Sequence, residues 1–217
     1  MRPGTRIACA LLVTLPAARA PGQQAPMDRI GAATRASLER IIDSARVAGL
    51  PTAPLEDKIA EGMLKRADDE RILRAVQTLA RVYRDARTLV GNDAPPGVLG
   101  AAASVLQAGL PTGEVQRLLQ SARQSGSNAA LESGFATVVD LLARGVPMRV
   151  ATRSAETLFA HHAGDREFAA LRAGVAQDVL AGRGLEAAVV DRTQMQVRAL
   201  GGTNGDGVLP RRPPPDP

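Results

Sequence analysis

The sequence predicts an all-α fold of short antiparallel helix hairpins stacked as a short solenoid, with a compact helical bundle as the alternative arrangement. Three observations predict it. Apolar residues recur at three- and four-residue steps through most of the chain, and no segment alternates as a strand would. A phrase of glycine, aliphatic residue and proline recurs at Gly49-Leu50-Pro51, Gly109-Leu110-Pro111 and Gly145-Val146-Pro147. Candidate helix-ending glycines run from Gly91 through Gly109, Gly126, Gly145 and Gly164 to Gly182, at intervals of 17 to 19 residues. Each interval fits a helix of about fourteen residues and a short turn, so two intervals make one hairpin repeat.

The first segment is of a different kind. Arg2 and Arg6 make a basic start, Ile7 to Leu15 is a short apolar run, Pro16 breaks it, and Ala18-Arg19-Ala20 is a small-x-small cleavage site. These are the parts of a secretory signal peptide, and the run is about half of what a membrane span needs. Residues 1–20 are therefore expected to be a signal peptide and 21–27 a linker. An α-helical repeat domain is expected over 28–200, with a disordered Gly/Pro-rich tail over 201–217. Cys9 is the only cysteine and lies inside the apolar run. Cleavage after Ala20 would leave a mature chain with no disulfide, thiol nucleophile or thiolate metal site. A periplasmic or secreted location follows as the expectation, with no transmembrane segment in the mature chain.

The elements after the linker follow in order. Ile30, Ala33, Ser37, Ile41, Ala45 and Ala48 outline the buried face of a first helix, which Gly49 stops. In the stop phrase, glycine takes the left-handed position past the helix end, the aliphatic residue folds back onto the last turn, and proline bars continuation. Thr52 and Thr112 stand where the next helix wants a cap. Arg66-Ala67-Asp68-Asp69-Glu70 forms a second hairpin turn, its carboxylates suited to the positive end of the following helix. That helix buries Ile72, Val76, Leu79, Tyr83, Ala86 and Val90. Further on, Leu131, Phe135, Val138, Val139 and Leu142 share one face, as do Phe168, Leu171, Val175 and Val179. Gly184-Leu185 is a weaker stop without the proline.

Composition bounds the core and the partners. The chain has no tryptophan, three phenylalanines and one tyrosine, and much of its 45% hydrophobic content is alanine. Close helix approach, not bulky side chains, must hold such a fold. The formal charge of +5 includes Arg2, Arg6 and Arg19; without them 24 basic residues face 22 acidic ones. Nucleic-acid binding needs clustered cations, which so small an excess does not supply. Arginine outnumbers lysine by 25 to 2, a bias of composition.

No catalytic, cofactor-binding or metal-binding set emerges, and no cofactor is implied. His161-His162 is the only histidine pair, and adjacent side chains diverge on a helix, so with Asp165 they make an incomplete metal shell. The expected role is a helix end where imidazole meets free carbonyls. Arg74, Arg81 and Arg84 form a basic stripe, with Asp85 among them and Glu70 placed to pair with Arg74. A solvated face is expected there, with an anionic partner as the alternative. No phosphate-binding glycine loop occurs.

With Ala/Arg-rich helices and repeated Gly-Leu-Pro turns, the chain resembles uncharacterised exported bacterial helical-repeat proteins. That resemblance is one of architecture and implies no activity. Glu132-Ser133-Gly134-Phe135 resembles the Glu-Ser phrase at the catalytic acid of lytic transglycosylases, which implies a general acid at Glu132. The downstream Gly-Leu-Met-Gln element of that family is missing, and aromatic residues to line a sugar groove are scarce. The functional expectation is an exported, non-enzymatic interaction scaffold of the bacterial envelope whose partner is another envelope protein. The alternative is a peptidoglycan-active lytic enzyme using Glu132.

Overall fold

The computed structural model describes residues 29–202, and among them there are nine α-helices, a short 3-10 turn before the sixth of these, and no strand. The helices are α1 (Ala32–Val47), α2 (Ala53–Leu64), α3 (Asp69–Val90), α4 (Pro96–Gln107) and α5 (Thr112–Gln124). After the 3-10 turn (Asn128–Ala130) come α6 (Leu131–Ala143), α7 (Met148–Ala160), α8 (Asp165–Leu180) and α9 (Leu185–Gly202). The predicted signal peptide and linker lie outside the described residues, as does the predicted tail beyond Gly202. Gly201 and Gly202 belong to α9, two residues further than the domain boundary expected from composition.

One hydrogen-bond pattern closes seven of the helices. At the end of α4, Gly109 N–H donates to the Leu106 carbonyl and Leu110 N–H to the Val105 carbonyl, both at 3.0 Å. This is the Schellman arrangement, which needs a left-handed residue at the first of the two donors. It recurs at Gly49/Leu50, Arg66/Ala67, Gly126/Ser127, Gly145/Val146, His162/Ala163 and Gly182/Arg183. Every left-handed residue has the required positive φ, including Gly109 at 88° and Gly145 at 89°. Leu50, Leu110 and Val146 are buried, so the aliphatic residue of the stop phrase does fold back onto the core.

Several sequence expectations are corrected here. Gly164 does not end a helix: it precedes α8 with φ −100°, and His162, at φ 58°, takes the left-handed place. Glu167 reaches back to the Gly164 N–H at 2.9 Å, which fixes the start of α8. Gly184 leads into α9, because α8 has already ended at Leu180, with Gly182 in the left-handed place. Thr52 stands at the N-cap of α2 without a side-chain cap bond, and Thr112 lies inside α5 behind Pro111. Asp68 does cap α3, accepting from the Arg71 N–H at 2.7 Å, with Asp69 and Glu70 in the first turn. The buried face of α1 is Leu38, Ile42 and Ala45, rotated from the predicted one, and Ala33 and Ala48 are exposed. The main partner of α1 is α3, and the residues turned towards it are the ones that are buried.

The helices stack in sequence. Helix α1 packs on α3, α3 on α5, α5 on α7 and α7 on α9, while α4 packs on α6 and α6 on α8. Successive helices also meet, as α2 with α3, α6 with α7 and α8 with α9. No two helices more than two places apart in the chain make more than marginal contact. The result is a two-layer stack, with odd-numbered helices in one layer and α4, α6 and α8 in the other.

Glycine notches bring the layers together. A Cβ on Gly62 of α2 would lie 2.7 Å from Ile72 of α3, and one on Gly134 of α6 would lie 2.2 Å from the Phe159 ring of α7. One on Gly174 of α8 would meet Arg192 of α9 at 2.8 Å. In each case an even helix receives a side chain from the odd helix that follows it. Phe159 also packs on Phe168 of α8, ring centroids 4.9 Å apart, and both are fully buried with Phe135. Buried aromatic rings thus come from three successive helices, α6, α7 and α8.

The left-handed positions give the first testable expectation. Gly145→Ala should cost about 1 kcal/mol through backbone strain, whereas Arg66→Gly should raise stability by about 0.5–1 kcal/mol by relieving it. Urea melts of both variants check the pair of opposite signs; changes of the same sign would contradict the turn assignment.

Candidate functional site

Glu132 lies in the first turn of α6, where the 3-10 turn feeds the helix, and its side chain is exposed. Its carboxylate rests against Gly97 in the first turn of α4, so close that a Cβ there would lie 2.0 Å from Oε2. That is a favourable place for an anion next to a helix N-terminus. It is not lined for sugar, because Phe135, Phe159, Phe168 and Tyr83 are all buried. The Glu-Ser-Gly-Phe phrase has a packing explanation instead: Gly134 is the notch for Phe159, and Phe135 is core.

The two histidines lie just past α7, which ends at Ala160, His162 with a left-handed backbone. His162 Nδ1 lies 2.6 Å from the Ser125 carbonyl at the end of α5. A carbonyl only accepts, so Nδ1 carries the proton, and the imidazole ties the end of α7 to the end of α5. Among the described residues no group of three or more His, Cys, Asp or Glu is arranged to hold a metal ion.

The arginine stripe of α3 is split by its neighbours. Arg74 pairs with Glu70 and lines a groove with Lys58 and Arg71 towards α2. Arg84 lines a different groove, of about 240 Å³, between α3 and α1, with Arg40, Ser37, Ser44 and Gln77. Arg81 is exposed between them and forms no ion pair among the described residues. The structure therefore does not join the three arginines into one site.

A better-defined groove lies where the sequence drew no attention. Between α7 and α9 is a space of about 340 Å³, lined by Arg149, Arg153, Ser154, Thr157, Thr193 and Gln194, with Glu186 and Val190 on the α9 side. Arg149 and Arg153 stand one turn apart on α7, both exposed and neither in an ion pair among the described residues. Ser154 is only 5% exposed. The other buried polar side chains, Ser127, Thr137, Thr152, Asp178 and Thr193, all have hydrogen-bond partners. Ser154 alone of this set makes no hydrogen bond among the described residues. The only sequence signal was two basic residues at i and i+4 on the polar side of an amphipathic helix, which many solvated helices share.

One buried carboxylate is structural. The predicted face of α8 ends in Val179, but Val179 is 40% exposed and Asp178 is buried in its place. Arg192 of α9 donates to both Asp178 oxygens, at 2.8 and 2.7 Å, and Arg183 reaches one of them at 3.3 Å. The bidentate Arg192 hydrogen bonds hold the Asp178 carboxyl below the ordinary aspartate value of 3.8. Hydrogen bonds from Lys58 and Lys65 hold Glu61, on an exposed surface, down at about 2. Neither carboxylate is set up as a proton donor.

No family model matches the chain, and no curated protein or solved structure matches it either. Among the described residues, no helix is long and apolar enough to cross a membrane.

Two expectations follow from these sites. Gly134→Ala should destabilise by at least about 2 kcal/mol, since the Phe159 ring cannot yield, whereas Gly100→Ala, with nothing within 4 Å, should gain about 1 kcal/mol from helix propensity. Glu132→Gln should change stability by less than about 0.5 kcal/mol; chemical melts of the three variants check the order. For Asp178, a depressed folded pKa means stability that is fully present above the unfolded value and is lost as pH falls through the folded one. The stability gap between wild type and Asp178→Asn should therefore be flat from neutral pH to about 4 and shrink below it. Melts across pH 2–7 would show this, and a gap that widens with acid would contradict it.

Proposed function

We propose that the protein is an exported, non-enzymatic interaction scaffold of the bacterial envelope, which presents its helical stack to another polypeptide. The observation that carries this reading is the packing pattern, in which each helix meets its neighbours and marginal contact at most joins helices further apart. Such a stack exposes one continuous layer surface rather than a single enclosed cleft, and its usual use is to bind another chain. The step from architecture to use is one of analogy, since a fold does not set a function. The signal-peptide features of residues 1–20 support export. The exposed position of Glu132 beside Gly97, without aromatic neighbours at the surface, favours the scaffold over the lytic alternative.

The test has two arms. Protein purified from a secreting host is incubated with peptidoglycan, wild type beside Glu132→Gln, after mass spectrometry has established whether Met1 to Ala20 has been removed. A photo-cross-linking residue is also placed at position 149 on the odd layer, or at Arg166 on α8, in cells. The expected outcome is a processed protein that releases no fragments and gives a discrete cross-link from position 149 only. Fragment release that disappears in Glu132→Gln would overturn the scaffold reading, and retention of Met1 would overturn export.

A further inference from the structure

We infer that the groove between α7 and α9 docks an acidic polypeptide segment, whose carboxylates pair with Arg149 and Arg153. The inference rests on the scaffold reading and names the partner chemistry of its surface.

The first support is the distribution of charge between layers. The odd-numbered helices hold fourteen basic and nine acidic side chains, whereas α4, α6 and α8 hold two basic and five acidic ones, with Arg144 and Arg183 at the ends of α6 and α8 pairing with Asp140 and Asp178. The odd layer is therefore net +5, while the other layer is close to neutral once those two arginines are counted with it. A field of that sign steers an anionic partner to the odd layer rather than to the other.

The second support is local. Arg149 and Arg153 have no carboxylate of their own among the described residues, unlike Arg74, Arg117, Arg144 and Arg192, each of which has one. Guanidinium groups present paired donors that match a carboxylate in plane. Ser154 also lines the groove, and its hydroxyl makes no hydrogen bond among the described residues and stays open to the groove, where a ligand group can reach it. Thr157 and Gln194 add groups of the kind that bind peptide backbone, while Glu186 on the α9 wall disfavours a carboxylate there and so sets which side the acidic residues take.

The class of anion follows from what the surface lacks. Nucleic-acid strands and sugars are held by stacking on aromatic rings. All three phenylalanines and the one tyrosine of this chain are buried. A carboxylate-bearing extended chain needs no such platform, and a groove between two helices admits one where a flat lipid surface could not enter.

The experiment measures fluorescence anisotropy of a labelled oligoglutamate of about ten residues, long enough to span three helix spacings, against the full chain. Binding is expected at low salt and should weaken as salt rises. Arg149→Glu with Arg153→Glu should weaken it by about tenfold or more. Ser154→Ala should weaken it less while leaving the melting temperature unchanged or higher, which a purely structural serine would not do. Arg166→Glu, on the exposed surface of the even layer, should leave binding as it is. No binding, equal loss in Arg166→Glu, or equal affinity for an oligothymidylate or for anionic lipid vesicles would each overturn the inference. A discrete cross-link from position 149 into a partner that acidic peptide does not displace would also overturn it, and would leave the scaffold reading standing.

Discussion

The chain reverses direction because one residue beyond each helix takes a left-handed backbone. That residue lets two backbone N–H groups turn back to carbonyls of the last turn, and the next residue is carried inward onto the core. Seven helices end this way, which is why the connections are short and the chain doubles back after each of them. The exception is α3. Gly91 has φ 96° and ψ 164°, its N–H returns to the Arg87 carbonyl, and the link to α4 is longer. Arg87 compensates there, donating to the carbonyls of Asn92 and Gly49 and so tying the end of α3 to the turn after α1. The longest helix of the stack thus joins the first hairpin to the regular part.

Depth of packing comes from glycine rather than from large side chains. With few aromatics, two helices gain contact only by approaching closely, and a missing Cβ permits it. The notches at Gly62, Gly134 and Gly174 lie on even helices, and each accepts a group from the next odd helix. The groups differ: an isoleucine, a phenylalanine ring and the aliphatic part of an arginine. In the last case the arginine head continues to the buried Asp178, so a single side chain both fills the notch and neutralises the carboxylate. That pairing closes the C-terminal end of the stack against α9.

The helical class and most of the helix ends were legible because each rests on local chemistry. Glycine with an aliphatic neighbour and proline specifies a turn wherever it occurs, and the wide apolar face of α3 was visible from Ile72 to Ala86. Features that depend on a distant partner were not. His162 takes a left-handed place that glycine would take more readily, because its ring reaches Ser125, 37 residues away. Asp178 replaces Val179 in the interior because Arg192 waits on another helix. Glu132-Ser133-Gly134-Phe135 looked like chemistry because the ring that fills Gly134 comes from position 159. The arginine stripe of α3 looked continuous until the neighbouring helices divided it.

The excess of arginine over lysine is a matter of composition, and composition alone has no preference for one layer over another. A bias that replaces lysine by arginine acts on every exposed position alike, and leaves the sign of each surface to the acidic residues beside it. Here the acidic residues fall unevenly. Helix α4 carries no charged residue, and α2 and α6 are each net acidic, whereas α3, α5 and α7 are each net basic. A stack of hairpins turns that alternation along the chain into one basic layer and one near neutral, because alternate helices share a layer. The same alternation in a closed bundle would mix the signs around its circumference. The layered stack is therefore what converts a modest pattern in sequence into a directed field, and the groove where two free arginines flank an unpaired hydroxyl lies on the positive side of it.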